Sequence, residues 1–265
     1  MMANSLQRIE QGEFFLIAGP CVIESEETCL EVGHHVAQLA SKFDIPYIFK
    51  TSFKKANRLS AGSYAGPGLD EGLRILHTAK MALNVPVLTD IHETTEADPV
   101  SEIADIMQIP AFLCRQTDLL TAAASTGRWV NIKKGQFLAP EDMAKIAAKV
   151  DSKKIMLTER GSTFGYRNLV VDFRSLMIMS ESGYPVVFDA THSLQLPGGA
   201  GRTSTGQPEY IIPMAKAAVA VGINGLFVET HPKPSEALSD AGAMLPLEKM
   251  EELIDSVLEV MEHSR

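Results

Sequence analysis

Cysteine is scarce in this sequence. Three residues, Cys21, Cys29 and Cys114, are spread over 265 positions without a CxxC spacing. They are too few and too scattered for a disulfide framework or a cysteine-built structural zinc site, so a reducing, cytoplasmic setting is expected. Long apolar runs are missing as well: none approaches the roughly 18 residues of a membrane span. Residues 1–13 lack a basic region followed by an apolar stretch, so no secretory signal is indicated and no membrane partner is expected. Positive charge is in deficit, with a formal balance of −9. That balance argues against a nucleic-acid surface, and it makes any convergent basic groups candidates for binding a small anion. No strand-like run is followed by GxGxxG or GxxxxGK[ST], which removes the dinucleotide and P-loop readings, and no GxSxG elbow supports a serine nucleophile.

What is present is one pattern repeated evenly. The run from Phe14 stops at Gly19-Pro20 and delivers Cys21, and it is short, rich in Phe and Ile and bounded by breakers, as a buried strand is. Strand-like runs recur at 45–50, 85–90, 104–109, 129–133, 154–158, 185–189 and 225–229. Helical patterns are predicted between and after them at 26–42 (capped by Ser25), 69–83, 94–103, 117–126, 140–150, 168–179, 209–221 and 246–262. Eight strands alternating with eight helices at roughly 30-residue spacing predict a (β/α)8 TIM barrel, with an open doubly wound sheet as the runner-up. Residues 1–12 precede the barrel as a short extension and are expected to cap its N-terminal mouth, leaving 1–265 as a single catalytic domain. The polar segment 51–68 is longer than an ordinary strand-to-helix connection and reads as a functional loop.

The runs end on chemistry. In a barrel, Cys21, Lys50, Asp90, Gln108, Lys133, Arg160, His192 and Glu229 gather at one mouth. A single lysine at a strand end is usually just solvated. Four cations on one rim, however, repel one another unless an anion lies between them. Cys21, His192 and Glu229, with Asp240 as a fourth member, form a donor set suited to a divalent transition metal, and His231 and His92 compete by residue type.

Several segments carry a resemblance: AGPCVIES at 18–25, KTSFKKANR at 50–58, GPGL at 66–69, QIPAFLCRQTD at 108–118, ERG at 159–161 with FGY at 164–166, FDATHS at 188–193 and ETHP at 229–232. Together they look like the 3-deoxy-D-manno-octulosonate 8-phosphate synthases over nearly the whole chain. The KANR motif discriminates, because the related heptulosonate 7-phosphate synthases carry KPRT there. The resemblance implies condensation of phosphoenolpyruvate with D-arabinose 5-phosphate, a step towards lipopolysaccharide sugar. It implies Lys50, Lys55, Gln108, Ala111, Lys133 and Arg160 around phosphoenolpyruvate, and Asn57, Arg58 and Arg115 around the pentose phosphate, with a neighbouring subunit as one source of Arg115. Lys50, Lys55, Asp90 and His192 are the residues expected to carry the catalysis. Cys21 places the chain with members that need a divalent metal (Mn, Fe, Zn or Co), held by Cys21, His192, Glu229 and Asp240. A homo-oligomer is also implied, a tetramer by family. Leu59 departs from the pattern, since a serine usually follows the arginine; a heptulosonate-type synthase and a non-catalytic sugar-phosphate-binding barrel are the alternatives.

Overall fold

The computed structural model describes residues 2–56, 62–165, 168–196 and 205–264. Asn57 and Arg58, together with Leu59 and Ser60, lie outside them. Eight parallel strands close into a barrel: Phe15–Gly19, Tyr47–Lys50, Val87–Asp90, Ile106–Ile109, Trp129–Lys133, Ile155–Glu159, Val186–Asp189 and Gly225–His231. Each pairs with the next, and the first closes on the eighth with Phe15 opposite Gly225 and Gly19 opposite Glu229. A helix follows every strand, so the alternation predicted from the runs is the architecture observed. Among the described residues no helix is long and apolar enough to cross a membrane.

Strand side chains alternate between two apolar environments. Phe15, Ile17, Ile48, Leu88, Ile106, Trp129, Met156, Val187 and Phe227 fill the lower barrel, while their neighbours, such as Leu16, Phe49, Ile132, Leu157 and Phe188, pack outward under the helices. That is why the strands read as continuous apolar runs. The extension forms the helix Met2–Glu10 and closes the lower mouth by laying Ile9 and Leu6 on the interior cluster. Arg8 fixes its angle by pairing with Glu13 at 2.7 Å and Asp44 at 2.9 Å. With the bottom plugged by apolar side chains, the polar interior opens only at the top.

Two helix predictions need correction. The segment 168–179 is not one helix: Val170 bridges to Ser162 in an antiparallel pair, its N–H donating at 3.0 Å, and the helix is Arg174–Ser180. The β-branched Val170 and Val171 suit that extended pairing better than a helix interior. The helix opened by Pro140 runs Glu141–Ala147 and reaches Val150 through tighter turn bonds, Val150 N–H to Ala147 O at 3.3 Å. At the fourth helix, Thr94–Glu96 is a 3-10 turn ahead of Ala97–Ile103, and at the last, Leu247–Lys249 precedes Met250–His263 in the same way.

Candidate active site

The same alternation that fills the lower barrel places polar groups above it. Two residues beyond each interior apolar side chain stands a polar one: Lys50 after Ile48, Asp90 after Leu88, Gln108 after Ile106, Thr158 after Met156, Asp189 after Val187 and Glu229 after Phe227. On the fifth strand Asn131 and then Lys133 follow Trp129. The first strand instead ends at Gly19, where a Cβ would lie 2.0 Å from the Lys50 carbonyl oxygen. Only glycine allows that approach, and it brings the next turn close enough for Lys50 Nζ to donate to the Cys21 carbonyl at 3.0 Å.

These side chains surround a cavity of about 190 Å³ lined by Lys50, Lys55, Asp90, His92, Gln108, Ala111, Lys133, Gln136, Arg160, His192 and Glu229, among others. The expectation of four mutually repelling cations is corrected here, because carboxylates accompany three of them. Lys50 pairs with Glu229 and Lys133 with Asp189, while Lys55 lies 3.7 Å from Asp90 and 3.8 Å from Glu229. Phe227 spreads its ring beneath two of the ammonium groups, 3.9 Å from Lys133 and 5.5 Å from Lys50. Arg160 differs. It is buried, its Nη2 donates to Gln195 at 3.0 Å, and its Nη1 has no hydrogen-bond partner among the described residues.

The charges respond to this packing. Burial opposes the ionised forms of Asp90, Asp189 and Glu229, but the neighbouring ammonium and imidazole groups outweigh it: Lys55 and Lys50 for Asp90, His192 and Lys133 for Asp189, His192 and Lys50 for Glu229. All three carboxyls are held well below the usual carboxylate range. Lys55 moves the other way from burial alone, since Cys21, Glu229 and Asp90 raise it above an ordinary lysine. Burial lowers Lys133 in spite of Asp189, and lowers Arg160 too.

Beside the cavity, ligand atoms of Cys21, Glu229 and Asp240 lie within 4.8 Å of one another. Cys21 Sγ is 2.9 Å from Ser239 Oγ and 3.2 Å from Asp240 Oδ2, and burial pushes its thiol well up from the ordinary value. Asp240 has a left-handed backbone, φ 48°, an uncommon conformation for a residue other than glycine. Glu229 Oε1 takes the lysine; Oε2 is buried, has no hydrogen bond among the described residues, and faces His192 Nε2 at 3.4 Å. Asp189 Oδ2 lies 2.7 Å from His192 Nδ1, which puts the proton on Nδ1 and leaves the Nε2 lone pair free. Of the four expected ligands, Cys21, Glu229 and Asp240 form the cluster, and His192 stands outside it with Nε2 beside Glu229 Oε2; a soft sulfur with two carboxylates is a donor set that fits a divalent transition metal.

The sequence is matched over residues 5–264 by the DAHP synthetase I family. The chain belongs to that family. Within it, the chain is 51% identical to a 2-dehydro-3-deoxyphosphooctonate aldolase of Fusobacterium nucleatum, with 98% of each chain covered. It is 55% identical to a protein of that name from a Cyanothece species, over 93% of this chain and 92% of the relative. A third, from Acidithiobacillus ferrooxidans, is 52% identical over 96% and 91%. Of the site residues expected on this synthetase barrel, Lys50, Lys55, Asp90, Gln108, Ala111, Lys133, Arg160, His192 and Glu229 all line one cavity, with Cys21 and Asp240 adjoining. Arg115 does not join them and is exposed. Asp189, Asn131, Thr158 and Gln136 were missed. Asn131 stands two residues back from Lys133 on the same face, while Asp189 and Thr158 close the runs 185–189 and 154–158, so counting by twos from each run's end reaches all three.

Proposed function

We propose that this protein condenses phosphoenolpyruvate with D-arabinose 5-phosphate and water, giving 3-deoxy-D-manno-octulosonate 8-phosphate and inorganic phosphate. The observation that carries the reading is the buried cationic cavity with Arg160 Nη1 unpartnered, beside the cluster of Cys21, Glu229 and Asp240. A buried guanidinium nitrogen without a partner is costly unless a ligand supplies one, and its fork matches phosphate or carboxylate. The names of the relatives denote the same enzyme type.

In this reading Arg160, Lys133, Lys55, Lys50 and Gln108 hold the phosphate and carboxylate of phosphoenolpyruvate, with Ala111 against it. Asn57, Arg58 and Arg115 take the pentose phosphate. Carbon 3 attacks the aldehyde, whose oxygen takes up a proton. Water adds at carbon 2 and gives up a proton, and phosphate then departs from that carbon. Fixed cations stabilise the charge developing on the reacting groups in a site whose charged side chains are largely buried. Asp90, ionised, lies 3.7 Å from Lys55, and His192 lines the same cavity. A divalent metal (Mn, Fe, Zn or Co) held by Cys21, His192, Glu229 and Asp240 would supply Lewis acidity towards the aldehyde oxygen or the attacking water. The buried free thiols of all three cysteines accord with a cytoplasmic enzyme.

The exposed Phe112 and Arg115, on the loop after the fourth strand, support a homo-oligomer in which that loop meets a neighbouring subunit, a tetramer as the family resemblance implies. Light scattering checks this. Phosphate release from phosphoenolpyruvate plus arabinose 5-phosphate tests the whole reading. Release only with a four-carbon aldose phosphate would favour the heptulosonate type, as Leu59 permits. No release with any aldose phosphate or metal would leave a binding barrel.

A further inference from the structure

Above the apolar plug, a chain of buried side chains crosses the wall of the barrel. Thr158 Oγ1 donates to Asn131 Oδ1 at 2.6 Å, Asn131 Nδ2 to Gln108 Oε1 at 2.9 Å, and Gln108 Nε2 to Asp90 Oδ1. Ser52 Oγ donates to the other carboxylate oxygen. These groups stand on or just past the second to sixth strands, and all are buried.

The direction of the chain follows from one end. A carboxyl amide can face a neighbour with either its oxygen or its nitrogen, and nothing local decides which. Asp90, ionised between Lys55 and Lys50, only accepts. Gln108 must therefore show it the amide nitrogen, which leaves Oε1 to accept in turn. Asn131 must then donate through Nδ2, its own Oδ1 needs a donor, and the Thr158 hydroxyl is that donor. Each amide has one orientation that satisfies both neighbours, and the reverse would set oxygen against oxygen between buried side chains.

Of the two amides in this hydrogen-bonded series, Gln108 lines the cavity and Asn131 does not. Its oxygen is engaged by Asn131 and one N–H by Asp90, so the group left for a ligand is the second N–H. We infer that Asn131 and Thr158 are positioning residues that lock the Gln108 carboxamide as a donor towards an anionic ligand. Neither lines the cavity, so both act through Gln108. A donor fixed in advance loses no rotational freedom on binding, and a freely turning amide would offer its oxygen to the anion part of the time. The inference rests on the cavity being the phosphoenolpyruvate site.

The test pairs Thr158→Val, which keeps the shape and removes the hydroxyl, with Thr158→Ser, which keeps the hydroxyl. Calorimetry on the metal-loaded enzyme should show phosphoenolpyruvate binding weakened about three- to tenfold by Thr158→Val, the scale of one ordinary hydrogen bond, and restored by Thr158→Ser. KM for phosphoenolpyruvate should rise in parallel with KM for the pentose phosphate unchanged, while the melting temperature falls in Thr158→Val, whose Asn131 Oδ1 loses its donor, and recovers in Thr158→Ser. Asn131→Asp, which turns an acceptor on Gln108, should weaken phosphoenolpyruvate further. Equal weakening of both substrates, or wild-type affinity in both folded variants, would overturn the inference. An independent readout needs no substrate: the Gln108 side-chain amide protons should exchange slowly in wild type and faster in Thr158→Val. Failure of wild type to bind phosphoenolpyruvate would sink the functional reading, whereas unchanged exchange in Thr158→Val would sink the lock alone.

Discussion

Replacing Arg160 separates a group kept for binding from one kept for stability. Arg160 is buried, lies outside ion-pair distance of every carboxylate among the described residues, and leaves Nη1 unpartnered. Among the described residues its side-chain hydrogen bond goes to Gln195. Desolvating a cation is expensive, and removing one whose charge is not repaid by a close counter-ion does not harm the folded state. Arg160→Ala should therefore leave the melting temperature of the ligand-free protein unchanged or raised, unlike a core truncation. Binding should suffer. Loss of a charge-assisted contact costs about 1.5–3 kcal/mol, or about 10- to 150-fold in the dissociation constant for phosphoenolpyruvate. Arg160→Lys keeps the charge and loses the fork, and should fall between. Calorimetry gives the constants, and thermal unfolding without ligand gives the control. A wild-type dissociation constant in Arg160→Ala, or a clear drop in melting temperature, would refute the reasoning.

Three further outcomes are expected. Treatment with a chelator should abolish turnover, and Mn, Co, Zn or Fe(II) should restore it to different degrees; full turnover in protein shown by elemental analysis to be metal-free would remove the metal from the proposed function. Ile9→Ala should destabilise the fold by about 2–5 kcal/mol in denaturant titration, because the side chain is buried on the interior plug, with little change in KM for either substrate. Asp90, held below its unfolded value by Lys55 and Lys50, contributes stability that is present above the unfolded aspartate pKa of about 3.9 and is lost as pH falls below it. The acid limb of the stability profile should accordingly be shallower in Asp90→Asn, by up to about 1.4 kcal/mol per pH unit, and coincident limbs would contradict that.

Most of the barrel was legible because its strands are buried on both faces and its turns are marked by Gly, Pro and polar clusters. The misread helix at 168–179 shows where local pattern loses to pairing. Leu169, Val170 and Val171 carry the apolar content of a helix face, but Val170 finds a backbone partner in Ser162, a residue no periodicity connects to it. The short 3-10 entries before Ala97 and Met250 were absorbed into their helices because the same residues suit both geometries.

The site was legible wherever its residue ends a run. Lys50, Asp90, Lys133 and Glu229 are each the last polar group before a loop, and all reach the cavity. Asp189 also ends its run, yet His192 drew the attention; the ring is oriented by Asp189, which no motif reading required. Asn131 and Thr158 were hidden differently. In a two-faced buried strand the eye takes Trp129–Lys133 as one hydrophobic block, although position 131 shares a face with Trp129 and Lys133, not with Val130. Charge was the deeper misjudgement. Counting cations at strand ends predicted repulsion relieved by a bound anion, whereas three of them have carboxylates contributed by other strands. The sequence shows acids and bases at equal prominence, but only closure of the barrel decides that Glu229 lands on Lys50 and Asp189 on Lys133, leaving Arg160 as the cation still facing an open space.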